Sequence, residues 1–162
     1  MPNLTITLLG SPKIFLNGEL CSFRTRKVVA LIAYLVVTQQ IHRRESLVTL
    51  FWPESDAKRG RSSLRQTLIR LRRVLGDDWF DIQRHTVGLN ADADITVDVL
   101  RFRELLGIES HVAYEEAIQL YHGDFMMGLA LRDSPLFDEW QYFEQGNLRQ
   151  ALAGALETAV SL

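Results

Sequence analysis

Arginine dominates the one stretch of this chain where residue type and spacing could do chemistry. Seven of the 19 residues from Lys58 to Gly76 are lysine or arginine, and none is acidic. Leu64, Leu68, Leu71 and Leu75 recur at i, i+4, i+7 and i+11, which is one narrow apolar stripe on a helix. At about 100° per residue, Arg59, Ser62, Gln66, Arg70 and Arg73 fall opposite that stripe. Arg61, Arg65 and Arg72 flank one side, and Ser63 and Thr67 the other. A guanidinium can bond guanine through two N–H groups, a glutamine amide can do the same to adenine, and hydroxyls reach phosphates or base edges. The spacing predicts a helix over 56–76, capped by Asp56 and closed by Gly76, with its leucines packed inward. Arg59, Gln66 and Arg70 are then candidates for base edges, and Ser62, Ser63, Arg65 and Arg73 for bases or phosphates. A solvated basic face is the simpler alternative. Against it, Arg61 and Arg65 repel each other at i, i+4 with no acid in the helix to relieve them, which favours an external anion.

The charge balance says the same at larger scale. The formal net charge is −2 over 162 residues, yet residues 1–76 carry +9 and residues 77–162 carry −11. A basic half joined to an acidic half is expected where one part meets a polyanion and the other does not. The hydrophobic share of 47% and charged share of 23% are those of a globular chain. The longest apolar run, Val28 to Val37, is too short to span a bilayer. The first ten residues lack a secretory pattern, and a cytoplasmic location is expected.

Other elements must position the basic helix. Leu4, Ile6 and Leu8 alternate with Thr5 and Thr7, Lys13 to Leu16 reads as a second strand, Asn17-Gly18 is a hairpin turn, and Leu20 to Phe23 is the expected return strand. Helical spacing follows from about Arg26 to Val37, and again from Arg44 until Pro53 stops it. Arg43 and Arg44, at the start of that second helix, are candidates for phosphates. The second and third helices form a helix-turn-helix-like pair. Phe80, Ile82, Val87 and Leu89 predict a hairpin, with Arg84, His85 and Thr86 near its tip as further nucleic-acid contacts. Asp92, Asp94 and Asp98 read as an acidic bridge between two domains. Helices are expected over Val99–Leu106, Val112–Tyr121 and Leu136–Leu162.

Three stretches resemble a known family: LIAYLVV at 31–37, LVTLFWPESDAKRGRSSLRQTLIRLRRVLGDD at 47–78, and AIQLYHGDFMMGLALRDSPLFDEW at 117–140. Together they are similar to the antibiotic regulatory protein family of bacterial transcriptional activators. The resemblance implies an OmpR-type winged helix over 1–95, α+β with a small antiparallel sheet. An all-α, tetratricopeptide-like bacterial transcriptional activation domain would follow over 98–162. It also implies that the helix bearing Arg59, Ser62, Ser63, Gln66 and Arg70 enters the major groove. The expected partners are then double-stranded promoter DNA bearing direct repeats and RNA polymerase, with a second copy of the chain or further domains in addition. The activation domain stops early, so the chain is expected to be a piece of a longer regulator or a short member.

Enzymatic chemistry has little support. There is no nucleophile elbow, phosphate-binding loop or dinucleotide fingerprint. His42, His85, His111 and His122 lack metal-ligand spacing, and His122 with Asp124 reads as structural. Cys21 stands alone, which excludes an internal disulfide, and it reads as a small buried residue. Neither a cofactor nor a metal is expected. The second functional reading is a protein–protein scaffold, using the helical surface of 98–162 with a winged helix that does not read DNA.

Overall fold

The computed structural model describes residues 2–161. Its first strands follow the alternation. β1 (Leu4–Thr7) buries Leu4 and Ile6 and pairs antiparallel with β2 (Lys13–Leu16), placing Ile6 opposite Ile14. Asn17 and Gly18 both take positive φ, 51° and 84°, as a tight turn between twisted strands requires. β3 comprises only Glu19–Leu20, shorter than the return strand expected to Phe23. In the observed register Phe23 would face Pro12, which has no N–H to offer a ladder.

α1 (Arg26–Thr38) buries eight of its residues and forms the centre of the core. After Gln39 ends it in the left-handed conformation, a two-residue strand, β4 (His42–Arg43), leads into α2 (Arg44–Phe51). α3 (Ala57–Leu75) has the predicted bounds because both ends are set locally. The Asp56 carboxylate accepts the Arg59 N–H at 2.8 Å, and Gly76 leaves the helix at φ 84°. β5 (Phe80–Ile82) and β6 (Thr86–Leu89) form the expected hairpin, and β4 joins it in a sheet of order β4-β6-β5.

The acidic bridge contains a strand. β7 (Ile95–Val97) lies parallel to β1, completing a sheet of order β3-β2-β1-β7. It leads directly into α4 (Asp98–Leu106), followed by α5 (His111–Leu120) and α6 (Pro135–Ser161). Leu162, the last residue of the expected final helix, lies outside the described residues. Asp98 is a buried ligand for backbone rather than a surface charge: at 8% exposure it accepts N–H bonds from Leu8, Leu9 and Val99 at 2.8–2.9 Å. Burial pushes its carboxyl up, and the three N–H donors oppose that shift.

One continuous core runs through the chain, from Leu4 to Leu148. The Phe137 ring lies 5.0 Å from that of Phe51 and the Trp140 ring 4.9 Å from that of Tyr34, and the backbones of Leu9 and Phe125 form an antiparallel bridge. The buried Ser134 hydroxyl donates to the Phe51 carbonyl at 2.8 Å. The sheets and the later helices thus share apolar contacts on both sides of residues 95–98. Among the described residues no helix is long and apolar enough to cross a membrane.

Candidate nucleic-acid interface

The leucine stripe of α3 is buried throughout, with Leu64, Leu68, Leu71 and Leu75 each at most 3% exposed. That burial fixes the rotation of the helix and turns its other face outward. Arg59, Ser62, Arg65, Gln66 and Arg73 are exposed, as are Arg61 and Arg72, while Ser63 and Arg70 are half-buried. Thr67 belongs with the core: it is 4% exposed and its hydroxyl donates to the Ser63 carbonyl at 2.9 Å. Two arginines are neutralised locally, Arg59 by Asp56 at 3.7 Å and Arg72 by Asp77 at 2.7 Å. Neither Arg65, Arg70 nor Arg73 forms an ion pair with an acidic side chain among the described residues. These side chains form a row of cationic and amide donors along one exposed helix face.

The hairpin is tied to α2 by residues that the sequence reading sent to phosphates. Arg44 is half-buried; its Nε donates to the Gln83 carbonyl and its backbone N–H to the His85 carbonyl, both at 2.9 Å. Burial lowers its pKa from the usual arginine value. Arg44 therefore fixes where the hairpin tip sits. Arg43 is exposed beside it on β4 and is paired in register with the half-buried Thr86, while Arg84 and His85 are exposed at the tip.

Part of α3 borders a groove of about 770 Å³. Ser62, Ser63, Gln66 and Arg70 form one wall, Thr25, Arg26 and Lys27 at the start of α1 another, and residues 130–133 the third. The third wall is held in place by several bonds. Lys27 pairs with Asp133 at 2.9 Å and lies 5.0 Å from the Trp52 ring centre, and Arg26 donates to the Ala130 carbonyl at 3.3 Å. The Asp138 carboxylate accepts the N–H groups of Leu131 and Arg132. Sequence reasoning missed Arg26, Lys27 and Arg132. The basic run Arg24 to Lys27 was visible, but nothing local connects it with a loop about a hundred positions later.

His122 and Asp124 do not act as a pair here: Asp124 is engaged by Arg149 at 2.7 Å, which holds its carboxyl below the usual range. Cys21 is half-buried, with its Sγ 3.8 Å from the Glu19 carbonyl.

Among solved structures, the chain resembles Mycobacterium tuberculosis EmbR in complex with a low affinity phosphopeptide, at a TM-score of 0.73 and 19% sequence identity. The two share a fold. The match covers 99% of this chain and 46% of that one, so this chain spans less than half the length of its structural neighbour. No family model matches the chain, and no curated protein matches it.

Proposed function

We propose that this chain is a sequence-specific DNA-binding transcription regulator of the antibiotic regulatory protein type, acting as an activator. In this reading the elements through β6 are a winged helix, α3 lies in the major groove, and the β5–β6 hairpin is the wing. The helices α4–α6 open a tetratricopeptide-like activation domain that contacts RNA polymerase. The observation that carries the proposal is the face of α3: four buried leucines lock its rotation while Gln66 stands exposed beside Arg65 and Arg73, which pair with no acidic side chain among the described residues. Such a face is costly in isolation and matches the donor pattern that reads base edges. The likeness in fold to EmbR supports a regulator of this kind.

The reading is tested by selecting duplexes from a randomised pool on the immobilised chain and sequencing them. Enrichment of a motif, in direct repeat, is the expected outcome. Recovery of the unenriched pool, or no retention at low salt, would overturn it. Activation is tested by transcription from a promoter carrying the selected motif, with stimulation by the chain expected.

A further inference from the structure

The groove beside α3 has a composition that the reading helix alone does not explain. Three guanidinium groups, those of Arg26, Arg70 and Arg132, line it. Its single acid, Asp133, is already taken by Lys27. Arg26 spends one N–H on the Ala130 carbonyl, and Arg70 and Arg132 pair with no acid among the described residues. Arg132 is exposed and sits in the left-handed backbone conformation, φ 65°, held there by Asp138 accepting its N–H. A conformation that an arginine rarely adopts is thus fixed by built contacts, and it presents a free cation at the rim of a basic groove.

A helix about 10–12 Å across fills a major groove about 12 Å wide, so a phosphate strand runs along each long edge of the inserted helix. One long edge of α3, at Ser63 and Arg70, opens into this groove. The α1 N-terminus on the opposite wall has no side-chain cap and no acid in its first turn, leaving its backbone N–H groups available to an anion. We infer that the groove holds the DNA phosphate strand that borders α3, gripped by Arg26 from the first half of the chain and Arg132 from the second. The inference rests on the DNA-binding reading and extends it: the helical half takes part in holding DNA, and its 130–133 loop sets how the duplex lies against α3. Such a contact adds affinity without adding sequence preference.

The test is fluorescence anisotropy with a labelled 30-bp duplex taken from a randomised pool, titrated with the full chain across a salt series. Arg132→Gln, Arg26→Gln and Arg132→Lys are compared with Arg101→Ala, whose side chain is engaged by Glu104 and Glu116 on α4 and α5. Each Gln variant is expected to weaken binding about five- to tenfold at 0.1 M salt and to lower the salt slope by about one. Arg132→Lys is expected to restore the slope, and Arg101→Ala to leave it at the wild-type value. Wild-type binding with an unchanged slope in both Gln variants would overturn this inference and leave the DNA-binding reading standing. Absence of wild-type binding would overturn both.

Discussion

At the scale of single residues, the side chains divide between those that face outward and those that set the position of their neighbours. Arg44 does more than residue type suggests: an arginine at a helix start suggests a phosphate, and this one also donates its Nε into the hairpin turn. Arg44→Ala is therefore expected to loosen the hairpin, raising amide exchange over 83–86, whereas Arg43→Ala should leave exchange there unchanged. Equal exchange in the two variants would contradict the tether. His42 makes a second prediction. Thr38 spends its hydroxyl hydrogen on the Tyr34 carbonyl, so the His42 Nε2–H is the donor in its 2.7 Å bond to Thr38. Burial beside the Tyr34 ring lowers the histidine pKa below 6.5. A depressed histidine contributes stability that is complete above its unfolded pKa and is lost as pH falls below that value. The wild-type melting temperature should thus drop more between pH 7.5 and 5.5 than that of His42→Gln. Parallel profiles would contradict this assignment.

At the scale of elements, a glycine sets the fit where α2 crosses α3. A Cβ placed on Gly60 would meet Val48 Cγ1 at 2.4 Å, and valine's stiff χ1 gives it little room to move. Gly60→Ala gains helix propensity of up to about 1 kcal/mol, but the clash should outweigh it and destabilise the chain by about 1–2 kcal/mol. Val48→Ala in the same chain should recover that loss in a denaturant melt, and failure to recover it would place the strain elsewhere. The same helices show how much of the fold was legible beforehand. α3 could be read to its ends because Asp56, the leucine stripe and Gly76 all act locally. The hairpin was legible from Phe80, Ile82, Val87 and Leu89. β4 and β7 were not: two and three residues long, they carry too little periodicity, and their pairing comes from strands far away in sequence. The candidate site divides in the same way. Its outward face on α3 followed from helical angles, but the groove beside Arg70 depends on residues 130–133, which no local pattern brings there.

At the scale of the whole molecule, the charge asymmetry spans a single shared core. The joint is Asp98, whose carboxylate binds β1 backbone N–H groups while its own residue opens α4. Asp98→Asn puts an amide donor against one of those N–H groups, at an expected cost of about 1–3 kcal/mol. Because the core is continuous, aromatic fluorescence and far-ultraviolet circular dichroism should report one coincident transition in both wild type and variant. Two separated transitions would show that the halves fold independently. On the DNA-binding proposal the charge split has a functional counterpart: affinity of the basic half for DNA must fall as salt rises, because releasing condensed counterions into a more concentrated solution gains less entropy. The proposed function requires that α3 read sequence, and the most direct measurement compares Gln66→Ala with wild type on a selected duplex and on random DNA. A loss of about 1–3 kcal/mol on the selected duplex, with binding to random DNA nearly unchanged, is the predicted result. Equal losses on both duplexes, or none on either, would contradict the claim that α3 enters the major groove.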